Sequence, residues 1–344
     1  MVVDLRDVAA ACGVSVATAS RALNGSPRVS AETVRRIRAA AADLGYRPNA
    51  SARALRTARS RFVGLVVTNL VNPSLRVIAE LVQQRLAAHG YQLVLSVTGG
   101  DAAQELEALR MLADHHAEGV IVVGSDTQAV DELHRLALPA VHLARRPDRP
   151  AGDCVLGDDL AGARDATRYL AGLGHRRIAV VSGPQTVTSG RERLQGHRLG
   201  LADAKLPFVE ERAVSGPFAP ATGTAAVQRL LALPARRRPT ALLVTSHEAA
   251  LGVLPALRRA QVDVPRELSV VCYEDSELMQ WWHPAVTVLD INPGEMGELA
   301  ARLLLERITG VRPGSTRPAE FRVGTHLTVR SSCAPLRGAA DRPE

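Results

Sequence analysis

The sequence lacks several features that would place it in common classes of protein. It has no run of eighteen apolar residues, so no transmembrane helix is predicted. Residues 1–30 lack the cationic start, apolar stretch and small-residue cleavage site of a secretory signal. The four cysteines are scattered without the spacing of metal ligands. We therefore expect reduced thiols in a cytoplasmic protein.

Signatures of catalysis are missing as well. The chain has no Walker loop, no GxSxG turn and no paired-carboxylate motif. The pair His247-Glu248 lacks the second histidine of a zinc-protease motif. The tail after Cys333 carries no leucine heptads, which argues against a C-terminal coiled coil that would join dimers into tetramers. The sequence therefore predicts a protein that is not an enzyme and that uses no metal and no cofactor.

Positive charge is concentrated at the N-terminus. Residues 1–61 contain eleven arginines and four acids, an excess of seven that equals the formal net charge of +7 for the whole chain. The rest of the chain is therefore close to neutral. A segment that neutralises the phosphates of nucleic acid needs such an excess. The alternative is that arginine-rich helix faces are only solvated.

The pattern over residues 5–24 predicts two short helices joined by a tight turn. Gly13 supplies the left-handed residue that ends the first helix, and Ser15 caps the second. The inward faces are apolar at helical spacing: Leu5, Val8, Ala9 and Cys12, then Ala19, Ala22 and Leu23. The second helix keeps an outward face, which fits the major groove of DNA: Val16, Ala17, Ser20 and Arg21.

A third helix and a short connector follow. Ser30 caps the third helix and Gly45 ends it, and its predicted buried stripe comprises Val34, Ile37, Ala41 and Leu44. Asn49 caps a connector helix of only about seven residues, which is marginal in water unless something packs on it. Leu55 lies there among arginines and suits a wedge in the minor groove. The alternative is a flexible linker whose leucine packs on its own domain.

Beyond Arg61 the pattern changes to alternating strands and helices. An apolar run over residues 62–67 reads as a strand buried on both faces, and an amphipathic helix follows over residues 73–89. The alternation continues to about residue 308, which predicts parallel sheets covered by helices on both faces. About 270 residues exceed what one such sheet holds, so we expect two lobes.

Dense, collinear motifs resemble the LacI/GalR family of bacterial repressors. Over residues 5–67 they are Asp7-Val8-Ala9, Gly13-Val14-Ser15, Thr18-Ala19-Ser20-Arg21-Ala22-Leu23-Asn24, Val29-Ser30, Leu44-Gly45-Tyr46-Arg47-Pro48-Asn49 and Ala52-Arg53-Ala54-Leu55. The resemblance continues to about Ser331, with Asn72-Pro73, Leu173-Gly174-His175, Arg193-Leu194-Gln195-Gly196, Ala250-Leu251-Gly252 and Val264-Pro265 among its motifs.

The resemblance implies a helix-turn-helix headpiece and a hinge helix. In the repressors that the chain resembles, the outward face of the second helix contacts bases in the major groove. The resemblance implies this role for Val16, Ala17, Ser20 and Arg21. It implies minor-groove contacts by the hinge, where Leu55 pries open a central base step: Asn49, Ala52, Arg53, Leu55 and Arg56.

The resemblance also implies a periplasmic-binding-protein-like core of two doubly wound lobes with a ligand in the cleft between them. The chain departs from the family pattern there, since Ala144 stands where sugar-binding members carry Asp, and Ser246-His247 replaces Asn-Asp. Arg193 and Phe218 keep the family's ligand-binding arginine and stacking aromatic. The candidate effector residues are Ser74, Arg193, Phe218, Ser246, Glu274 and Trp281.

These inferences predict a cytoplasmic, nucleoid-associated homodimer that represses transcription from a palindromic operator and responds to a small-molecule effector such as a carbohydrate. An effector-independent core, a solute-binding protein and an enzyme on the same fold are the alternatives. The expected domains are a headpiece over 1–47, a hinge over 48–60, a core over 61–332 and a disordered tail over 333–344. Within the core, lobe one comprises 61–160 and 291–320, and lobe two comprises 161–290 and 321–332.

Overall fold

A computed structural model describes residues 3–23, 26, 28–46, 60–124, 126–311 and 317–336. The chain divides into two compact units, Met1–Ser60 and Arg61–Glu344. No helix in these described ranges is long and apolar enough to cross a membrane. The predicted hinge residues Asn49, Ala52, Arg53, Leu55 and Arg56 lie outside the described residues.

The N-terminal unit contains helices α1 (Leu5–Ala11), α2 (Val16–Leu23) and α3 (Ala31–Asp43). Asp4 caps α1 by accepting from the N–H of Arg6 at 2.6 Å. Ser15 and Ser30 cap α2 and α3 by accepting from Thr18 N and Thr33 N, as predicted. The shared core of small apolar side chains confirms most of the inward faces: Val8, Ala9, Cys12, Ala19, Ala22, Ile37 and Ala41.

One residue of the predicted buried stripe on α3, Leu44, is not buried. Leu44 is 38% exposed, because it lies past Asp43, the last helical residue. Tyr46 packs against the core of the unit, and its N–H donates to Ala41 O at 2.8 Å. The turn at Gly45, with φ +66°, brings Tyr46 back towards the helices.

The second unit alternates strands and helices over most of its length, as predicted, but no helix separates β4 from β5 or β11 from β12. Its strands are β1 (Phe62–Val67), β2 (Gln92–Val97), β3 (Gly119–Val122), β4 (Ala140–Leu143), β5 (Asp153–Gly157), β6 (Ile178–Ser182), β7 (Ala213–Ser215), β8 (Ala241–Val244), β9 (Ser269–Tyr273), β10 (Thr287–Asp290), β11 (Glu320–Val323) and β12 (His326–Thr328). Its helices are α4 (Pro73–Ala88), α5 (Ala102–Asp114), α6 (Thr127–Leu136), α7 (Asp159–Gly172), α8 (Thr188–Asp203), α9 (Pro220–Leu231), α10 (His247–Arg259), α11 (Glu277–Trp281) and α12 (Pro293–Ile308), with a 3₁₀ turn at Glu210–Arg212.

The described strands form two six-stranded sheets, one in each lobe. The first has the order β11-β5-β4-β3-β1-β2 and is parallel throughout. The second has the order β12-β10-β9-β8-β6-β7, in which only β12 is antiparallel to its neighbour. Most core strand positions are fully buried, as expected for parallel sheets covered by helices on both faces. This confirms the predicted fold class.

Two boundaries differ from the expected ones. Residues 321–332 were expected in lobe two, but β11 lies in the first sheet, because Phe321 pairs with Val155 of β5 and Val323 enters the apolar core. The disordered tail was expected to begin at residue 333, and this boundary is too early. Ala334 N donates to Ser269 Oγ at 3.1 Å and Leu336 N donates to Leu173 O at 2.8 Å, which fixes residues 333–336 on lobe two. Residues 337–344 lie outside the described residues.

A buried ion pair joins α12 to β5 in the first lobe. Arg307 Nε donates to Asp153 Oδ2 at 2.7 Å, and the other carboxylate oxygen of Asp153 accepts from Ala319 N at 2.8 Å. Asp153 is completely buried, so its charge depends on these donors. The pair therefore ties the last helix of the lobe to the strand that precedes the crossing into lobe two.

Replacing Arg307 with methionine is expected to lower the free energy of unfolding by roughly 3–5 kcal/mol, because it leaves a buried carboxylate without its counter-charge. Urea denaturation of the full chain measures the change. Arg302→Met on the exposed face of α12 is the matched control and should change stability by less than about 0.5 kcal/mol. Equal effects of the two substitutions would contradict the structural role of the pair.

Candidate DNA-binding surface and effector cleft

The outward face of α2 is available for contact. Val16, Ala17 and Arg21 are exposed and Ser20 is half-buried, while Ala19 and Ala22 on the opposite face are fully buried. The turn between α1 and α2 is short because Gly13 adopts φ +61°. Within this unit the four predicted residues therefore share one helix, and three of them are open to a partner.

Exposed arginines accompany this face. They lie on α1, α2 and α3 and on the segment between α2 and α3: Arg6, Arg21, Arg28, Arg35 and Arg38. Arg36 is used internally, since its Nη2 donates to Cys12 O at 3.1 Å and satisfies a carbonyl near the end of α1. The exposed guanidinium groups are free to form the charge-assisted hydrogen bonds with phosphates that position a protein on DNA.

In the core unit, the carboxyl ends of strands from both sheets meet around a small cavity. Five of the six predicted effector residues line it: Ser74, Arg193, Phe218, Ser246 and Glu274. Its volume is about 50 Å³. That volume holds a few water molecules and is far below the roughly 300–1,000 Å³ of typical ligand pockets. The structure therefore has the lobes closed on each other.

Trp281 is not brought to this cavity. Its side chain is 81% exposed and lines a separate groove on lobe two together with Pro265 and Pro284. Helix α11 has only five residues, and Met279 takes its buried position. The neighbouring Trp282, by contrast, packs against the core of the second lobe.

Arg193 on α8 is held by a buried ion pair. Its Nε donates to Asp159 Oδ1 at 2.8 Å and its Nη1 donates to Thr245 O at 2.5 Å. The guanidinium lies 4.5 Å from the centre of the Tyr273 ring and 5.8 Å from that of Phe218. Although burial alone would lower the pKa of Arg193, the Asp159 carboxylate raises it above its ordinary value. Arg193 is thus a fixed cation inside the cleft.

Two carboxylates of lobe two share one amide of lobe one. Asn72 Nδ2 donates to Glu274 Oε2 at 2.9 Å and to Glu248 Oε1 at 3.3 Å. The N–H of His247 also donates to Glu274 at 3.2 Å. Burial raises the pKa of Glu274 to about 7, with a further contribution from Glu248 that Arg193 opposes. These contacts connect the two lobes directly across the cavity.

A second buried acid and a cation lie on the lobe-one side. Burial raises the pKa of Glu105 on α5 to about 7, Asp126 adds to the rise and Arg145 opposes it. The Glu105 carboxylate occupies the space beside Gly124, where a Cβ atom would overlap it. Arg145 follows β4, lines the cavity, and lies 5.6 Å from the centre of the Phe218 ring. Burial lowers the pKa of Arg145.

The sequence interpretation missed Asn72, Glu105, Arg145 and Glu248. A signal existed for Glu105, which falls at helical spacing with the buried Leu109 and Leu112 and so occupies a core position of α5. A signal existed for Arg145 in its place directly after a buried strand that ends at the cleft. Nothing in the local sequence indicates that Asn72 reaches both glutamates.

The comparisons with known proteins agree with this architecture. Residues 4–49 match the family model for bacterial regulatory proteins of the lacI family, and residues 167–333 match that for a periplasmic binding protein-like domain. The HTH-type transcriptional repressor PurR of Aliivibrio fischeri is 32% identical over 307 residues, 88% of this chain and 91% of that protein. The ribose operon repressor of Escherichia coli is 32% identical over 308 residues, covering 89% and 93%.

Solved structures give the same result. A transcriptional regulator CelR–cellobiose complex matches with a TM-score of 0.72 and 33% identity, covering 96% of this chain and 99% of that one. A lac repressor dimer bound to operator and the anti-inducer ONPF matches with a TM-score of 0.84 and 25% identity, covering 97% and 100%. The molecule is a DNA-binding transcriptional regulator with an effector-type core, not an enzyme. The chain belongs to the lacI family of bacterial regulatory proteins.

Glu105→Gln is expected to stabilise the protein at pH 8 but not at pH 4.5. The folded state binds the Glu105 proton more tightly than the unfolded state, since the pKa rises from 4.5 to about 7. Above pH 7 the buried charge costs up to about 3 kcal/mol, and this cost fades as the pH falls through 7 towards 4.5. Chemical denaturation of variant and natural chain across this range measures the difference.

The exposed Glu107 on the same helix provides the matched control, because Glu107→Gln removes a charge without relieving burial. Its effect on stability should be small at every pH. A stability difference for Glu105→Gln that does not change between pH 8 and pH 4.5 would refute the assignment of a buried, ionisable carboxyl.

Proposed function

We propose that the protein is a dimeric repressor that binds a palindromic operator and responds to a small molecule bound between the two lobes of its core. The exposed outward face of α2 carries this proposal. Val16 and Ala17 offer apolar contacts to a thymine methyl, and Arg21 suits a guanine. In a dimer, two headpieces reach half-sites one helical turn apart.

The hinge completes the proposed DNA complex. Its residues Asn49, Ala52, Arg53, Leu55 and Arg56 lie outside the described residues, so their role rests on the sequence and on the family resemblance. A helix of about seven residues is marginal alone. It forms on the operator, where Leu55 enters the minor groove and the new contacts offset the cost of ordering.

An apolar edge of lobe one supports the homodimer. Leu95 and Val97 on the edge strand β2 are 41% and 49% exposed. Leu70 and Val71 are also exposed, and they follow β1 at the end where Val67 pairs with Val97. An exposed apolar edge strand invites pairing with another chain, and a second copy would cover it. The lac repressor structure that matches this chain is itself a dimer.

The cleft supports a small-molecule effector. Polar groups converge there from both lobes, and Phe218 offers an apolar face for stacking. The matching CelR structure contains cellobiose, and a matching relative is named a ribose operon repressor. Binding would require the lobes to open, since the cavity has only about 50 Å³. The same small volume favours the second candidate, a repressor whose core works without an effector.

Opening and closing of the lobes would set the affinity for the operator. Allosteric coupling between two binding sites typically corresponds to about 1–3 kcal/mol. We place this function in the cytoplasm, on the nucleoid.

The affinity of the protein for a selected operator should fall steeply as the salt concentration rises, because phosphate contacts release counterions.

Arg21→Ala is expected to weaken operator binding by roughly 1–3 kcal/mol and to relax the preference at one base pair of each half-site. Selection from a randomised DNA pool with the natural chain defines the operator, and single-base variants of it measure the preference. Arg229→Ala removes an exposed arginine of the core and should leave binding unchanged. A uniform loss across all DNA sequences would assign Arg21 to the phosphate backbone instead.

Val97→Lys is expected to convert the dimer into a monomer, because a charge on the exposed part of β2 must lose its water in the interface. Analytical ultracentrifugation at micromolar concentration measures the change. Val311→Lys is the control, since Val311 is also highly exposed but lies outside this edge. A Val97→Lys protein that stays dimeric would place the interface elsewhere.

A further inference from the structure

Six arginines lie at the amino ends of three neighbouring strands of lobe two. Strands β7, β6 and β8 are adjacent and parallel. The arginines directly precede β6 and β7 or lie in the loop before β8, and we call them the arginine face: Arg176, Arg177, Arg212, Arg236, Arg237 and Arg238. The cavity between the lobes lies at the carboxyl ends of the strands, so the arginine face occupies the opposite edge of the sheet. It is therefore separate from the effector cleft.

The loop before β8 holds three of these side chains by their Nε atoms. Arg177 Nε donates to Arg238 O at 2.6 Å, and Arg212 Nε donates to Arg237 O at 3.1 Å. Arg238 Nε donates to Leu233 O at 2.9 Å. Among the described residues the terminal Nη groups of these three arginines have no acceptor. The guanidinium groups are thus fixed in place while most of their N–H donors stay available.

Negative charge is scarce around the arginine face. Glu211 forms an ion pair with Arg237. Glu210 Oε2 lies 4.0 Å from Nη2 of Arg198, which is outside the face. Even with both glutamates counted against the six arginines, the face keeps an excess of four positive charges.

The arginines of the face also act on one another. Arg176 and Arg236 are exposed, and within the described ranges their side chains form no hydrogen bond and no ion pair. Burial lowers the pKa of Arg212, and Arg177 and Arg237 lower it further against the opposing effect of Glu211. The folded chain therefore leaves this surface without the negative charge that would balance it.

Other arginines of lobe two have a structural explanation that does not extend to this face. Arg229 lies in the last turn of α9, and Arg258 and Arg259 lie in the last turn of α10. Cations in these positions interact favourably with the partial negative charge of a helix C-terminus. The members of the arginine face lie outside the α-helices, so they have no such role.

The composition of the face favours a polyanion over a folded protein as its partner. None of the large exposed apolar side chains of the described residues belongs to its segments, and protein interfaces depend on such anchors. Neighbouring strands are about 4.8 Å apart, so the three strand ends span about 10 Å. About 10 Å of duplex DNA carries roughly six phosphate charges. The face therefore matches a phosphate backbone in charge and in size.

We propose that the arginine face is a second DNA-binding surface, which holds the phosphate backbone of one duplex while the headpieces hold the operator on another. The free Nη groups donate charge-assisted hydrogen bonds to phosphate oxygens. No base is read, so this binding is independent of sequence. The inference goes beyond the proposed function, since it gives the core unit a nucleic-acid contact of its own and makes the protein a bridge between two DNA segments.

The test uses the full-length chain bound to its selected operator. Operator duplex is immobilised and saturated with protein, unbound protein is washed away, and a labelled duplex that lacks the operator is added. Because the headpieces are occupied, capture of the second duplex reports binding by the core. We expect capture with a dissociation constant of roughly 1–100 μM that weakens steeply between about 50 and 200 mM salt.

Charge variants locate the second surface. Arg176→Glu combined with Arg236→Glu should weaken capture at least about tenfold, because two phosphate contacts are replaced by repulsion. Arg176→Lys combined with Arg236→Lys keeps the charge and should retain most of the capture. The control combines Arg149→Glu with Arg302→Glu, which changes the net charge equally at exposed positions of lobe one and should leave capture unchanged. Every variant should keep the operator affinity of the natural chain, which verifies folding.

Four results would overturn the proposal. The first is an operator-bound chain that captures no second duplex at low salt. The second is an equal loss of capture in both pairs of glutamate variants, since net charge and not this face would then be responsible. The third is a loss of operator affinity in the Arg176→Glu and Arg236→Glu variant, which would place the face in the operator complex itself. The fourth is capture of anionic phospholipid vesicles without capture of duplex, which would make a membrane surface the partner.

Discussion

The ion pair between Arg193 and Asp159 anchors the chemistry of the cleft, because both side chains are almost fully buried and removing either one leaves the charge of the other uncompensated. It joins α8 to the start of α7 beneath the cavity. Tyr273 packs on the guanidinium and donates through its hydroxyl to Asp159 O at 3.3 Å. The residue after Tyr273 is Glu274, so the position of this carboxylate follows from the same pair. Glu274 is held with φ +66°, a left-handed conformation that occurs where the surroundings enforce it.

Contacts across the cleft explain how closure and charge are linked. Asn72 bonds two carboxylates, Thr188 Oγ1 donates to Arg146 O at 2.6 Å, and Arg322 of lobe one pairs with Glu192 of lobe two at 2.7 Å. Closing the lobes gives Glu248 and Glu274 a shared donor but removes them from water. In the closed state the amide of Asn72 therefore helps to compensate two carboxylates that have lost their water.

Much of this architecture could be predicted from the sequence, because it follows from local patterns. The caps at Ser15 and Ser30 and the alternation of strands with helices are short-range signals. Five predicted cleft residues share one cavity, and three of them, Phe218, Ser246 and Glu274, follow parallel strands, whose carboxyl ends gather at one edge.

The remainder depends on contacts between distant segments. Trp281 ends the five-residue α11, on which Met279 takes the buried position. Glu105 and Arg145 are far apart in the sequence, so their electrostatic interaction arises only in the folded lobe. The membership of β11 in the first sheet depends on its pairing with β5, which no local pattern encodes. Leu44 is exposed because α3 ends at Asp43, one residue before the position where the apolar spacing predicts a buried leucine.

The membership of β11 has a mechanical consequence. Within the described residues the chain passes between the sheets three times, at 157–159, 290–292 and 323–326. A single connecting segment would allow the lobes to rotate about it. Three connecting segments resist this rotation and leave bending as the easier motion. We therefore expect the two lobes to move as rigid bodies that bend about these three crossings.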